Sequence, residues 1–126
     1  MLEAYSTNIE VAADAAIPFN STVLLKGCTA THPSADTFNI NKCGVYMVSV
    51  DSSVATSTSI QLFKDGVAQP QAQCTGGTSP SFITLVQVDR NNSCCACASP
   101  VVLQVRNTGT TDATFTDVNI VITKVA

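Results

Sequence analysis

An all-β sandwich or jelly roll is the fold class that this sequence predicts, and three observations predict it. Short runs rich in Val, Ile, Thr, Phe and Tyr alternate between apolar and polar positions, which is the period of a strand. Gly, Pro, Asn, Asp and Ser punctuate these runs at intervals of roughly 8 to 15 residues. No stretch repeats its apolar residues convincingly at helical spacing. The result is about eight short antiparallel strands. The 126 residues fit one domain and allow a sizeable core.

Residues 1–16 are small, polar and Ala-rich. Val11-Ala12-Ala13-Asp14-Ala15-Ala16 has the composition of a helical turn, but Pro18 stops it. The expectation is an extended N-terminal arm over 1–16, with the head domain at 17–126. The first strand is expected over 17–26, with Phe19, Val23 and Leu25 facing inward. Residues 29–36 read as a loop, because Pro33 sits in a Ser/Thr/Asp cluster. Phe38-Asn39-Ile40 is a short alternating strand, and Asn41-Lys42-Cys43-Gly44 turns the chain. The strand over 45–52 follows, with Val45 and Met47 on one face and Tyr46, Val48 and Val50 on the other. Both faces are largely apolar. That fits a strand covered by a second sheet on one side and a neighbouring subunit on the other.

Residues 60–64 and 67–69 flank Asp65-Gly66. This pair is the strongest hairpin signal in the chain, since both residues tolerate positive φ. Pro70 places the return strand at a sheet edge or ends it. Residues 74–81 form a Gly/Thr/Ser/Pro loop, and 82–88 a strongly β-prone strand. A turn at 89–93 and a loop at 94–100 lead to the strand at 101–107. The turn at 108–112 and a last strand over 114–124 close the order.

Charged residues are 12% of the chain, well under the roughly 25% of typical soluble domains. With 45% hydrophobic residues this is not a disorder signature, which pairs low hydrophobicity with high charge. A net charge of −3 and six scattered basic residues argue against a nucleic-acid partner, which needs clustered Lys and Arg. No apolar run reaches the roughly 18 residues of a membrane span. The first five residues carry an acid and no base, unlike a secretory leader. If Met1 is the natural start, the chain is expected to be left in the cytoplasm.

Six cysteines sit awkwardly with that expectation: Cys28, Cys43, Cys74, Cys94, Cys95 and Cys97. A particle assembled inside a cell and later released by lysis reconciles the two. Six thiols allow 15 pairings. Cys28–Cys43 is the best single disulfide candidate if the strands that begin after them lie side by side. Cys94-Cys95-Ala96-Cys97 puts three thiols within four residues. Structural disulfides or buried thiols are the plainer reading. Zinc is the sharper one, but no second Cys-x-x-Cys pair completes a four-ligand set.

Catalytic constellations are thin. His32 lies in a Thr-His-Pro-Ser loop with no acid or nucleophile motif beside it, so a solvated loop histidine is the better reading. No phosphate loop or His-Glu-x-x-His pattern occurs. Asp112 and Asp117 read as turn and strand-end acids. The sequons at Asn20 and Asn91 read as chance. The expectation is no enzyme, no catalytic residue and no cofactor.

The ordered set of Phe38-x-Ile40, Cys43-Gly44-Val45-Tyr46 and the Leu62-Phe63-Lys64-Asp65-Gly66-Val67 hairpin carries a resemblance. The strands at 82–88, 101–107 and 115–125 continue it. The sequence resembles the tumour-necrosis-factor-like and complement-type globular head superfamily. It is most similar to the bacterial and phage branch with the heads of collagen-like spore-surface proteins. The resemblance covers about residues 17–125 and implies a ten-strand-type jelly roll and a compact homotrimer. It also implies inner-sheet aromatics near the threefold axis, for which Tyr46, Phe82 and Phe115 are the candidates. No Gly-X-Y stalk is present, and the cluster of Cys94, Cys95 and Cys97 is not a general feature of the superfamily.

The expected role is a structural protein on a virion surface, a phage capsid decoration or head-fibre module docked through residues 1–16. The alternatives are a spore-surface or extracellular tip, and a glycan- or receptor-binding module.

Overall fold

The computed structural model describes residues 1–27, 29–88 and 101–126. Ten strands lie among them: β1 (Leu2–Val11), β2 (Ser21–Leu25), β3 (Ala30–Ser34), β4 (Thr37–Ile40), β5 (Gly44–Val54), β6 (Ile60–Lys64), β7 (Val67–Cys74), β8 (Phe82–Val88), β9 (Val101–Asn107) and β10 (Ala113–Lys124). They form two five-stranded sheets of a jelly-roll sandwich. Sheet A has the order β2-β1-β10-β5-β8 and sheet B the order β3-β4-β9-β6-β7. Every pairing is antiparallel. No helix among the described residues is long and apolar enough to cross a membrane.

The strands at 82–88 and 101–107 fall where the alternation places them. The Asp65-Gly66 hairpin joins β6 to β7 with φ of 51° and 82°, so both turn residues are left-handed, as a type I′ turn requires. Asp65 also ties this turn to β9. Its N–H donates to Val102 O at 2.8 Å, and its Oδ1 accepts from Val102 N at 2.9 Å.

Three expectations need correction. Residues 1–16 are not a separate arm: Leu2–Val11 is β1, paired with β10 from Leu2↔Ile122 to Val11↔Ala113 and with β2 on its other side. Its inward positions are Leu2, Ala4, Ser6 and Val11, and two of these are small enough to hide the alternation. Ser6 works there as a polar link. Its hydroxyl donates to Pro18 O at 2.7 Å and accepts from Asn20 N at 2.7 Å. The loop expected at 29–36 contains β3, which tolerates Pro33 because it is the edge of sheet B. The strand expected at 17–26 is shorter. Ile17 and Phe19 are buried, whereas Val23 and Leu25 of the edge strand β2 are exposed.

The core lies between the sheets. Phe19, Phe38, Tyr46 and Phe115 are its largest side chains, packed with Leu2, Ile17, Ile40, Ile60, Leu62, Leu103, Ile120 and Ile122. Phe19 meets Phe38 edge to face at 5.4 Å between centroids. One polar group is fully enclosed. Asn107 Nδ2 donates to Val11 O (3.1 Å), Thr111 O (3.3 Å) and Ala12 O (3.4 Å), and Oδ1 accepts from Gly109 N at 3.1 Å. Gly109 is required beside it, since an added Cβ would collide with Thr58 Oγ1.

Candidate interaction surface

Of the aromatic residues expected at a subunit interface, Tyr46 and Phe115 are buried inside the sandwich. Tyr46 is 1% exposed and Phe115 0% exposed in the single chain. Tyr46 donates its hydroxyl to Lys42 O at 2.8 Å, and burial pushes its pKa up from the ordinary tyrosine value. Phe82 is half-buried at the start of β8, opposite Val50, and packs against the core. Tyr46 and Phe115 are thus spent within one chain. Their large side chains mark which face of β5 and β10 points inward.

The outward face of sheet A is assembled from the alternate positions. On β5 these are Val45, Met47, Ser49 and Asp51; on β8, Ile83, Leu85 and Gln87; on β10, Asn119, Val121 and Thr123; on β1, Glu3 and Tyr5. The register sets them in rows. Leu85, Met47 and Thr123 lie side by side, as do Ile83, Ser49 and Val121. Ile83 is 63% exposed and Leu85 60% exposed, large values for residues at the centre of a strand. Val125 extends the patch, its N–H donating to Val45 O at 2.8 Å. The apolar half of the face therefore lies at the end where β5 begins.

The other half is acidic. Asp51 is opposite Asn119, Asp117 is paired with Ser53, and Glu3 Oε2 accepts from Asn119 Nδ2 at 3.0 Å. Asn119 Oδ1 is buried and accepts from no donor among the described residues. None of these outward positions is Lys or Arg.

The remaining candidates do not converge with this face. His32 is a clasp between β2 and β3. Its Nε2 meets Ala35 O at 3.0 Å, so this nitrogen carries the proton, and Nδ1 accepts from Thr22 Oγ1 at 3.1 Å. The ring stacks on Phe38 with centroids 4.3 Å apart. Asp112 Oδ1 accepts from Ala13 N at 3.1 Å, which is a turn role. Cys43 is disulfide-bonded. Cys74 is a free, half-buried thiol packed against the core. Cys28 and the cluster Cys94, Cys95 and Cys97 lie outside the described residues. Among the described residues no three His, Cys, Asp or Glu side chains gather closely enough to hold a metal.

No protein-family model matches the chain, and no curated protein matches it by sequence. Solved structures do match. The vertex protein P5 of PRD1 is similar over 99% of this chain and 96% of its own, with TM-score 0.67 and 16% identity. Murine APRIL is similar over 98% of both chains, with TM-score 0.63 and 10% identity. The globular domain of zebrafish complement 1qA covers 95% of this chain and 94% of its own, with TM-score 0.62 and 8% identity. The fold is the TNF-like jelly roll. The sandwich meets these structures end to end, with neither chain carrying a large unmatched part.

Proposed function

We propose that this chain is a non-enzymatic structural protein of a particle surface, a phage capsid decoration or head-fibre protein that assembles as a homotrimer. The observation that carries the reading is the end-to-end likeness to a phage vertex protein. The outward face of sheet A supports the trimer. Exposed Ile83 and Leu85, with half-buried Met47, Val45 and Val121 beside them, are the kind of surface that is covered when copies meet. The proposed work is mechanical. Association buries this apolar face, and the trimer stands on its support as one rigid body. Residues 2–11 serve the sheet and are not free to dock as an arm. Cys28–Cys43 remains the proposed pairing for the Cys43 disulfide, bracing the approach to β5.

Light scattering coupled to size exclusion tests the assembly, with three times the chain mass expected. A monomer at micromolar concentration would sink the trimer. The particle setting is tested by sequencing the flanking genes. Capsid genes are expected there, and a Gly-X-Y stalk reading into this chain would overturn the virion assignment in favour of a collagen-type tip.

A further inference from the structure

The two outward faces of the sandwich differ in kind. The strands of sheet B contain no Asp or Glu at all, although the chain holds nine acids. Five of its six glutamines, Gln61, Gln69, Gln71, Gln73 and Gln104, lie on these strands. They alternate with buried Leu62, Ala72, Leu103 and Val105, so they share the outward face.

Arg106 stands among them. Its guanidinium lies over the Phe63 ring at 4.2 Å, and Nη2 donates to Gln104 Oε1 at 3.1 Å. Guanidinium has five N–H donors, and neither of these contacts is a carboxylate. The ring contact restrains the guanidinium, and a single one of its N–H donations is to a described side chain, an arrangement that suits a two-pronged hold on a carboxylate.

The glutamines are ordered the same way. Gln61 Nε2 donates to Gln69 O at 3.1 Å, Gln73 Nε2 to Pro70 O at 3.1 Å, and Gln71 Nε2 to Gln69 Oε1 at 3.4 Å. The amide nitrogens are thereby tied to the protein. An amide whose nitrogen is so tied keeps its oxygen as an acceptor, which suits O–H groups. Apolar side chains on this face are few: Val67 is exposed at the hairpin end of β7, and Phe63 lies under Arg106.

We propose that the outward face of sheet B binds a carboxylate-bearing saccharide. Arg106 receives the carboxylate, and the Gln61, Gln71 and Gln73 oxygens accept from sugar hydroxyls. A polyol supplies the O–H donors that these oxygens lack. The acid supplies the counter-charge that no described residue gives Arg106, on a face whose strands have no carboxylate to repel it. The site belongs to a single chain, so it does not depend on the trimer or on the particle. A trimer would present it three times and raise avidity.

The test is an NMR titration of the isotope-labelled full chain with trigalacturonate and, in parallel, with neutral galactotriose. Trigalacturonate is expected to shift the side-chain signals of Arg106 and of Gln61, Gln71 and Gln73, with affinity falling as salt rises. Arg106→Gln is expected to weaken binding about tenfold with its melting curve unchanged, as loss of one charge-assisted contact predicts. Gln71→Ala should weaken it severalfold, and Asp117→Asn on the opposite sheet should leave it unchanged. Equal affinity for the neutral trisaccharide, shifts confined to sheet A, or full binding by Arg106→Gln would overturn the proposal.

Discussion

Thr58 Oγ1 donates to Asn107 Oδ1 at 2.6 Å inside the sandwich, joining the segment before β6 to the end of β9. Asn107 is the hub of that corner, because its amide also binds the carbonyls of Val11, Ala12 and Thr111. Asn107→Leu leaves buried carbonyls without a donor and should cost about 2–4 kcal/mol. Thr58→Val leaves Oδ1 its bond from Gly109 N and should cost about 1 kcal/mol. Urea midpoints at constant slope check both, and equal losses for the two variants would show that Asn107 is not the hub.

Gly44 opens β5 with φ of 142°, a backbone that side chains resist. An added Cβ would sit 2.7 Å from Lys124 Cε and 2.8 Å from Ala126 O. The lysine end can swing away, but the backbone carbonyl cannot. Gly44→Ala should lower stability by roughly 1–3 kcal/mol. A melting temperature equal to that of the parent chain would refute this.

Sheet A's outward patch makes a prediction that separates the two faces of one sheet. Ile83→Lys and Leu85→Lys alter side chains that one chain leaves exposed, so each variant should fold and elute as a monomer. Tyr46→Phe should lose about 1 kcal/mol with its hydrogen bond to Lys42 O, yet keep the oligomeric state. Light scattering reads the assembly and circular dichroism the fold. Dissociation of Tyr46→Phe with the Lys variants intact would restore the aromatic interface.

Burial raises the Tyr46 pKa above its ordinary value. The folded state therefore holds this proton more tightly than the unfolded chain. The associated stability is full below the ordinary tyrosine pKa and is lost as pH rises through the raised one. Chemical denaturation across the alkaline range should show a fall that Tyr46→Phe lacks. The same slope in both proteins would assign the fall elsewhere.

Cys43 is bonded and Cys74 is free. For a Cys28–Cys43 bridge, the loop-entropy estimate gives a stabilisation of about 3 kcal/mol. Reduction should lower the melting temperature, and so should Cys43→Ser, while Cys74→Ser should not respond in this way. Peptide mapping without reduction should recover Cys28 joined to Cys43. Six alkylated thiols in the native protein would contradict the bridge.

Most of the sheet framework was legible because large β-formers alternate in β5, β8, β9 and β10 and because Asp65-Gly66 fixes one register. β1 escaped notice for a packing reason. Ala4 and Ser6 occupy its inward positions, so its period is written in small residues. β3 escaped because Pro33 signals a loop, while at a sheet edge it costs no ladder bond. The burial of the large aromatics was hidden for a related reason. Aromatics look alike whether they fill a core or meet a neighbour, and only the register shows that Tyr46 and Phe115 turn inward while Leu85 and Ile83 turn outward. The face around Arg106 was invisible in the order of residues, since strands distant in sequence contribute to it.

The last strand, β10, is the middle of sheet A, and β1 reaches β5 only through it. Sheet A is thus a keystone structure whose central piece is made last. A ribosome that has not yet delivered residues 113–124 holds a chain in two unjoined halves, β1 with β2 and β5 with β8. A product that stops short of β10 has no continuous sheet A, so its outward face is never completed.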